Sequence, residues 1–442
     1  MSPQASTLAA GAGRSVPEPR EAFDLGASED TLGRMTEWVR ELGDFFRVYS
    51  PRRASYTYFV NDPDLVKRIL LTNHKNYVKG VGTDQISILL GHGIMTSSGE
   101  YWHRQRRMLQ PAFHRRIIDR FSDVIREVNE LHAARWAAHA ARGAPIDISE
   151  AASEITLAIN LRTIFGADLE WIRERTGGNP FDIVHTEGSR DLKFAYRIRS
   201  LGGLIAEVIA RRRALPDLQR FDFLDMALNA RDKQTGEAMT DKQLIDEVIT
   251  LVVAGHETTA SALAWTWFHL GGRPDVQDAL AASMRDRPPG GLRGLDALET
   301  WTAGQQVVKE SLRLCPPGWM MTRRTLAADV LGGVALPAHT DVFVSPYFMH
   351  RHPQHWSHPE RFDPGRFNPD ADAQRHRFAY LPFGVGPRHC IGEGLAMQEL
   401  LSHLALMSSR FRLTPADSGP PEIEARINYR LRSALPMTVV PR

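Results

Sequence analysis

One helical segment in the second half of the chain constrains the fold most strongly. It begins at a capping-box pattern, Thr240 followed by Gln243, and it ends at Gly271-Gly272 just before Pro274. At about 1.5 Å per residue, the helix between these signals is roughly 45 Å long. Because its centre is apolar, a helix of this length must cross the core of a large domain.

The remaining patterns indicate one mainly α-helical domain. The 442 residues are 43% hydrophobic and 24% charged, which is enough chain to bury a large core. Helical periodicity dominates, and the strand signals at residues 56–60, 341–345 and 436–440 are short. Residues 1–26 are rich in Ser, Ala, Gly, Pro and Glu and predict a flexible leader. No linker interrupts residues 27–442, so we expect a single domain there.

Charge and cysteine content exclude several classes of protein. With 54 basic and 52 acidic residues the net charge is +2, so no global field marks a nucleic-acid binder. The two cysteines, Cys315 and Cys390, are too few for a disulfide framework or a four-cysteine zinc site. Residues 1–30 show no export signal, and the longest apolar run is far shorter than the roughly 20 residues that span a bilayer. We expect a cytoplasmic protein without a membrane anchor or a nucleic-acid partner.

The centre of the long helix, residues 254–259, combines a glycine with polar side chains. A glycine inside a helix costs about 1 kcal/mol relative to alanine, and a buried acid costs more unless it is paired. Two interpretations stay open. Either Gly255 marks a local distortion beside a functional site, or it packs against another helix while Glu257 reaches solvent. His256-Glu257 is not a zincin motif, because Ala260 stands where the second histidine would be.

A glycine-rich loop, residues 383–392, leads into an apolar helical stretch. Its glycines let the backbone approach a flat ligand, and the N-terminus of the following helix offers N–H donors to a thiolate. We therefore expect Cys390 to stay ionised and to ligate a metal; the alternative is an inert core cysteine. Cys315 lacks such a setting and is predicted to be a small buried hydrophobe.

Two shorter pairs are less specific by themselves. Glu310 and Arg313 lie one helical turn apart, a spacing that is common in exposed ion pairs. Trp102 and Arg106 share a helix face, where an indole N–H and a guanidinium either bind a carboxylate or simply lie on the surface.

Taken in order along the chain, these segments resemble the cytochrome P-450 superfamily of haem-thiolate monooxygenases. The cysteine-loop pattern F-x-x-G-x-R-x-C-x-G is complete at residues 383–392, and the helix pattern A/G-G-x-D/E-T-T/S matches residues 254–259. E-x-x-R matches residues 310–313, P-E-R-F matches residues 359–362, and W-x-x-x-R matches residues 102–106. The resemblance covers essentially the whole chain after the leader.

The resemblance implies a mainly α, prism-shaped haem domain with a small β-rich lobe, and heme b (iron protoporphyrin IX) as the cofactor. Cys390 would be the proximal iron ligand, since a thiolate there favours O–O cleavage. The residues matching the family's haem contacts are Trp102, Arg106, Ala254, Gly255, Arg323, Phe383, Arg388 and Gly392. The tryptophan and the arginines of this set would hold the haem carboxylates, with Arg324 as the alternative to Arg323.

The resemblance also assigns roles to polar residues around the haem. Thr258 and Glu257 match the alcohol and the acid that relay protons to dioxygen. Glu310 and Arg313 would form a buried ion network with Arg361, whose loss would leave an uncompensated charge.

The implied function is a monooxygenase that inserts one oxygen atom from dioxygen into a lipophilic small molecule, by hydroxylation or epoxidation. A terpenoid, steroid, fatty acid or polyketide would suit the apolar, methionine-containing pocket. The residues that the resemblance places in this pocket are Ile86, Ile88, Leu89, Thr250, Val253, Met320, Met321, Ala434 and Leu435. The alternatives are a haem-binding gas or ligand sensor without turnover, and a haem-free hydrolase with a thiol nucleophile.

Redox-partner docking is predicted on the densest basic segment, residues 100–120, which holds six arginines against two acids. Arg104 and Arg107 share a short helix with Trp102 and Arg106, so they would point toward the proximal surface and meet an acidic partner. The alternative is a solvated face. Electrons would come from a separate ferredoxin or flavodoxin with its reductase, and the protein would be a bacterial monomer.

Overall fold

The computed structural model describes residues 15–25, 30–186, 192–215, 220–285, 287, 292–417 and 419–442. The described residues are mainly α-helical, as predicted, and 58% of them lie in helices. Within the described residues, no helix has the length and apolar character needed to cross a membrane. The α-helices are α1 (Thr31–Leu42), α2 (Pro63–Lys67), α3 (Thr83–Leu90), α4 (Gly99–Leu109), α5 (Arg115–Ile118), α6 (Ser122–Ala141), α7 (Ile148–Phe165), α8 (Asp168–Thr176), α9 (Ile183–Thr186), α10 (Leu192–Ala214), α11 (Phe223–Asn229), α12 (Asp241–Gly271), α13 (Pro274–Met284), α14 (Gly294–Glu299), α15 (Thr302–Leu314), α16 (Pro346–Met349), α17 (Pro369–Ala373) and α18 (Glu393–Arg410).

The strands form small sheets. They are β1 (Phe45–Ser50), β2 (Ser55–Val60), β3 (Tyr77–Lys79), β4 (Ile146–Asp147), β5 (Met321–Thr325), β6 (Asp329–Leu331), β7 (Val334–Leu336), β8 (Asp341–Val344), β9 (Phe411–Pro415), β10 (Ile423–Ala425), β11 (Tyr429–Leu431) and β12 (Pro436–Pro441). One sheet has five strands in the order β1-β2-β8-β5-β3, another has three in the order β4-β12-β9, and β6-β7 and β10-β11 are two-stranded. The predicted strands are confirmed as β2, β8 and β12.

The five-stranded sheet joins two distant parts of the chain into a β-rich lobe. β2 runs parallel to β8, with Thr57 opposite Asp341, and antiparallel to β1. β5 pairs antiparallel with both β8 and β3, which places Lys79 directly opposite Arg323. The sheet thereby brings together two basic residues that are far apart in sequence.

The long helix is confirmed as α12, which has 31 residues. The Gln243 N–H donates to Thr240 Oγ1 at 3.3 Å, and the Thr240 N–H donates to the Gln243 side chain at 2.9 Å, which completes the capping box. α7 packs along this helix, and α10, α15 and α18 contact it as well. Its first half lies in one buried apolar cluster and its second half in another, so the helix crosses the core.

The segment before α1 is more ordered than predicted. The Phe23 N–H donates to a carbonyl of β1 at 2.9 Å, and an N–H of β1 donates to the Pro17 carbonyl at 3.0 Å. Leu25 is buried in the core. For residues 15–25 the predicted flexible leader is therefore wrong, because they add backbone hydrogen bonds and apolar burial to the β lobe. The rest of the predicted leader lies outside the described residues.

Glu310 and Arg313 form the centre of a fully buried ion network on α15. The Arg313 guanidinium donates to both Glu310 carboxylate oxygens, at 2.7 and 2.9 Å. The Arg366 guanidinium donates to Glu310 Oε1 at 3.2 Å. The predicted third member, Arg361, is wrong, because its side chain is exposed and its carbonyl accepts from Arg313 at 3.2 Å. The turn Pro364–Phe367 carries Arg366, rather than Arg361, back over α15.

Two buried acids on α12 hold the loop between α3 and α4. Glu247 accepts from the Ile94 N–H at 2.9 Å and from Gln105 Nε2 at 3.1 Å. Asp246 accepts from the His92 N–H at 3.1 Å. Burial raises the pKa of Glu247 from 4.5 to about 7, and the neighbouring charge of Asp246 acts in the same direction. The loop that precedes α4 is thus tied to the core by hydrogen bonds to carboxylates.

Replacing Arg366 by Met should destabilise the protein far more than replacing Arg361 by Met. Arg366→Met removes a cation from a carboxylate that stays buried, which should lower the free energy of unfolding by about 2 to 3 kcal/mol. Arg361→Met leaves the accepting carbonyl in place, so its effect should stay within about 0.5 kcal/mol. Urea unfolding of both variants measures this difference. Equal losses would show that Arg366 is not part of the network.

Glu247→Gln should flatten the pH dependence of stability. A carboxyl whose pKa is raised by folding stabilises the native state at low pH, and this contribution is lost as pH rises through about 7. Between pH 5 and pH 8 the wild type should therefore lose about 2 to 3 kcal/mol that the variant retains. Urea unfolding at both pH values provides the measurement, with exposed Glu41→Gln as the control. Parallel pH dependences of wild type and Glu247→Gln would contradict the assignment.

Candidate active site

Cys390 lies in a loop whose backbone N–H groups point at its sulfur. The Cys390 N–H donates to the Phe383 carbonyl at 2.9 Å, which closes the loop. The N–H groups of Gly392 and Glu393, where α18 begins, hydrogen-bond to the thiol. The expected donor arrangement at a helix N-terminus is therefore present.

A glycine is required where this loop passes another turn of the chain. Gly386 has a φ of 77°, and a Cβ there would lie 2.1 Å from the Leu70 carbonyl oxygen. Only glycine adopts this backbone conformation at such a distance without displacing the neighbouring segment. The glycine-rich composition of the loop thus reflects close backbone packing.

Opposing influences act on the pKa of the Cys390 thiol. Burial is the largest influence and raises the pKa of the thiol, while the N–H donors and the charge of Arg106 act in the opposite direction. Cys390 nevertheless has accessible surface. The ionised state that we expect of Cys390 as a metal ligand stays a prediction. Coordination to a metal ion would deprotonate the thiol.

Cys315 is confirmed as a buried cysteine. Its sulfur lies 3.5 Å from His269 Nε2, and burial raises the pKa of the thiol to about 12. A thiol in this state is neither a nucleophile nor a metal ligand.

The predicted carboxylate-binding side chains gather beside the cysteine loop. The Arg388 guanidinium lies 4.2 Å from the centroid of the Trp102 ring, and its Nη2 donates to Ser98 Oγ at 3.3 Å. Arg388 Nη1 is buried and has no hydrogen-bond partner in the structure. Arg106 Nη1 donates to the His389 carbonyl at 3.0 Å. α4 and the cysteine loop therefore meet through these residues.

β5 directs its two adjacent arginines differently. Arg324 pairs with Asp341 of β8 at 2.7 and 2.9 Å. Arg323 is 8% exposed, and its Nη1 donates to the Thr322 carbonyl at 2.8 Å. Burial lowers the pKa of Arg323 to about 10. Because Arg324 is already neutralised by a carboxylate, the geometry favours Arg323 as the arginine available to a ligand.

Lys79 belongs to the same cluster of cations, although the sequence analysis missed it. It lies opposite Arg323, and burial followed by the charges of Arg323 and Arg388 lowers its pKa to about 7. Burial, with the charges of Arg323 and Arg106, lowers the pKa of Arg388 to about 10. Lys79 and the three arginines (Arg106, Arg323 and Arg388) form a partly buried positive cluster.

This donor set fits a haem. Both charges acting on Lys79 are positive, and the Nη1 donor of Arg388 has no acceptor in the structure. A ligand that carries two carboxylates, as haem does, would neutralise the cluster and accept the free hydrogen bond. The loop next to the cluster holds Cys390, whose thiol suits iron.

The centre of α12 is continuous helix, and the predicted distortion is not observed. A Cβ at Gly255 would lie 2.5 Å from Asn160 Nδ2 of α7. Asn160 Nδ2 also donates to the carbonyls of Leu251 and Val252, at 3.1 and 3.2 Å. The close packing of α7 against α12 therefore explains Gly255. This is the second of the two interpretations, in which the glycine packs against another helix.

Thr258 and Glu257 have different neighbours. Thr258 Oγ1 donates to the Ala254 carbonyl at 2.8 Å, one turn back along α12. Glu257 Oε2 accepts from Asn428 Nδ2 at 2.9 Å. Glu257 is half-buried, so the alternative in which it simply reaches solvent is not observed.

A cavity of about 400 Å³ lies beside the cysteine loop. Phe383, Glu393 and Gly394 line it from the loop and α18, and Lys309 and Leu312 line it from α15. Phe383 thus contacts the loop through its carbonyl and also lines this cavity. These contacts support a role in holding Cys390 in place.

The residues of the predicted substrate pocket have varied surroundings. Ile86, Leu89 and Val253 pack in the cluster around the first half of α12. Thr250 is buried, and its hydroxyl donates to the Asp246 carbonyl at 2.8 Å. The remaining residues pack in other apolar clusters or have exposed surface: Ile88, Met320, Met321, Ala434 and Leu435. Their joint role as a pocket stays a prediction.

Arg104 and Arg107 do not form a free docking patch. Arg104 Nε lies 3.5 Å from Asp232 Oδ2, and Arg107 Nη2 donates to Gln234 Oε1 at 2.9 Å. Asp232 also lies 3.5 Å from Arg107. The loop before α12 therefore already pairs with both arginines, and their contact with a redox partner stays a prediction.

Several polar residues of the site were not found from the sequence. His256 Nε2 lies 2.8 Å from Ser153 Oγ of α7, the helix that also carries Asn160. Asn160 carried a signal, since it interrupts an apolar run and a buried amide needs partners. Lys79 and Asn428 carried none, because only strand pairing and the C-terminal hairpin bring them to the site.

Comparison with known proteins tests the family that the sequence motifs indicated. A family model described as Cytochrome P450 matches residues 21–434. The chain is 33% identical to Cyclooctatin synthase of Streptomyces melanosporofaciens over 369 residues, which is 80% of this chain and 80% of that protein. It is 32% identical to Cyclooctat-9-en-7-ol 5-monooxygenase of the same organism over 420 residues, or 90% of this chain and 89% of that protein.

The fold agrees with a solved structure. The crystal structure of the cytochrome P450DA haem domain superposes with a TM-score of 0.83 at 24% sequence identity, covering 94% of this chain and 93% of that chain. The match of the family model to nearly the whole sequence confirms the family that the motifs indicated. This chain belongs to the cytochrome P450 family, has its mainly α fold with small sheets, and is an oxygenase of the haem-thiolate class.

Proposed function

We propose that this protein inserts one oxygen atom from dioxygen into a terpenoid, with electrons from a separate ferredoxin or flavodoxin and its reductase. The choice of a terpenoid rests on the similarity of this chain to terpenoid-oxidising bacterial relatives. The similarity extends over 80% of this chain for Cyclooctatin synthase and over 90% for Cyclooctat-9-en-7-ol 5-monooxygenase. A steroid, a fatty acid and a polyketide are the competing classes.

The surroundings of α12 support a lipophilic substrate. Leu89 and Val253 contribute apolar surface, and the Thr250 hydroxyl is satisfied by its own helix. A substrate pocket lined by these residues would offer few hydrogen-bond donors, so it would disfavour a polar ligand that loses its hydration.

The cofactor that we propose is heme b. Cys390 would ligate its iron, and the cations around Trp102 would hold its carboxylates; these are Lys79, Arg106, Arg323 and Arg388. When bound, the haem supplies activation of dioxygen and transfer of one oxygen atom to the substrate. The chain positions this group and excludes water from it.

Thr258 and Glu257 are the proposed proton-delivery pair. Thr258 Oγ1 holds a proton that it now donates to the Ala254 carbonyl, and rotation about its Cα–Cβ bond would redirect that proton. Glu257, the preceding residue of α12, would resupply Thr258 Oγ1 through its carboxyl group. The single domain over residues 27–442, the cytoplasmic location and the monomeric state stay predictions.

A spectroscopic titration tests the substrate class. Terpenoid hydrocarbons and alcohols should change the spin state of the purified haem protein at lower concentration than steroids or fatty acids of similar size. With ferredoxin and reductase, the best ligand should then gain one oxygen atom from isotopically labelled dioxygen. Tighter binding of a fatty acid or steroid would overturn the terpenoid assignment, and binding without any product would favour a sensor.

Thr258→Ala should divert electrons from product to peroxide. Loss of the positioned donor should reduce product formed per reductant consumed by about 100-fold, while haem content and substrate affinity stay near wild type. Thr259→Ala is the control, because the adjacent residue is rotated by about 100° around the helix. Product and peroxide are measured for both variants. Tight coupling in Thr258→Ala would place proton delivery elsewhere.

A further inference from the structure

The C-terminal hairpin β10-β11 docks along one face of the long helix α12. Asn428 Nδ2 donates to Glu257 Oε2 at 2.9 Å, and Ser261 Oγ donates to the Tyr429 carbonyl at 2.7 Å. The Tyr429 ring stacks on Trp265, with centroids 5.4 Å apart and an interplanar angle of 24°. Glu257, Ser261 and Trp265 follow one another at intervals of four residues, so they share one helix face.

The hairpin turn is also held from its opposite side. The Tyr429 N–H donates to the Pro317 carbonyl at 2.9 Å, and Trp319 Nε1 donates to the Arg426 carbonyl at 3.0 Å. These bonds fix the residues on both sides of Asn428. The backbone around Asn428 is therefore held by contacts other than the one between its amide and Glu257.

We propose that Asn428 is the positioning residue for the acid of the proton-delivery pair. This inference rests on the proposed function, in which Glu257 resupplies Thr258. The hydrogen bond from the amide restrains the rotamer of the Glu257 carboxylate, and its loss would remove that restraint. With the bond in place, the carboxylate is held on the helix face that adjoins Thr258.

An amide suits both protonation states of this acid. Its Nδ2 group donates to the carboxylate when Glu257 is ionised, and its Oδ1 atom accepts from the carboxylic acid when Glu257 is protonated. A lysine or arginine in the same place would favour the ionised state alone. Asn428 therefore holds Glu257 while leaving it able to lose and regain a proton.

Variants of Asn428 test the proposal in the holoenzyme with ferredoxin and reductase. Asn428→Leu removes the hydrogen-bond donor while keeping a side chain of similar volume. Asn428→Asp replaces the donor by a carboxylate, which carries the same charge as the Glu257 carboxylate. Both should lower product per reductant by about tenfold and raise peroxide, with a larger solvent deuterium isotope effect than wild type. Substrate affinity from the spin-state titration should not change, since a positioning residue for a proton donor does not touch the substrate.

Arg430→Met is the matched control for the hairpin. Arg430 pairs across the hairpin with Glu424 at 2.7 Å, so its loss weakens β10-β11 without touching the Asn428 amide. This variant should couple electrons to product as wild type does. Equal uncoupling in Arg430→Met would show that the hairpin acts only as a structural support and would overturn the proposal.

A second measurement does not use turnover. Urea unfolding gives the unfolding constants of wild type, Asn428→Ala, Glu257→Ala and the double variant. The fold-changes of the two single variants, multiplied together, should exceed the fold-change of the double variant by about tenfold. Additive effects would show that the two side chains do not interact and would overturn the proposal.

The two hypotheses fail in different ways. If wild type forms product and Thr258→Ala uncouples, but both Asn428 variants behave as wild type, only the role of Asn428 is wrong. If wild type forms no product with any lipophilic ligand, the proposed function is wrong, while the unfolding cycle still reports on the contact between Asn428 and Glu257.

Discussion

The burial of α12 is the constraint on which the rest of this structure depends. A helix of 31 residues that crosses the core must find a partner for each polar side chain that it buries, because water is not available there. Those partners come from separate parts of the chain. The loop before α4 supplies N–H groups to Asp246 and Glu247, α7 supplies Ser153 to His256, and the C-terminal hairpin supplies Asn428 to Glu257. The hydrogen bonds that these buried side chains require therefore hold the loop before α4, α7 and the C-terminal hairpin against α12.

The second feature with wide consequences is positive charge without a matching anion. Lys79, Arg106, Arg323 and Arg388 come from β3, α4, β5 and the cysteine loop, and burial lowers the pKa of each. Such a cluster costs free energy until an anion neutralises it. A dicarboxylate ligand bound here would join the β lobe to the helical part of the molecule. Cofactor binding and the stability of the fold are thus coupled through the same residues.

Charge patterns in the sequence had two different outcomes in the folded protein. Arg104 and Arg107 look like a docking surface by composition, yet Asp232 of the loop before α12 pairs with both of them. Glu310 and Arg313 look like an ordinary exposed pair, yet both are completely buried. The difference arises because the desolvation of a charge depends on which segments pack over it, and spacing along a helix does not carry that information.

The sequence by itself determined the features that depend on local chemistry. The limits of α12 followed from the Thr240 capping box and the terminal glycines, the family followed from its motifs, and Cys390 was distinguished from Cys315 by the glycines around it. These signals are readable because caps, turns and close backbone approaches require particular residues within a few positions of one another.

Only the tertiary structure decided the features that join distant segments. It placed Lys79 opposite Arg323, chose Arg366 over Arg361 beside Glu310, and brought Asn428 to Glu257. Each of these contacts depends on strand pairing, on the path of a turn or on the docking of a hairpin. Residues separated by more than fifty positions meet only when the whole core is packed, so no local pattern specifies which of them will touch.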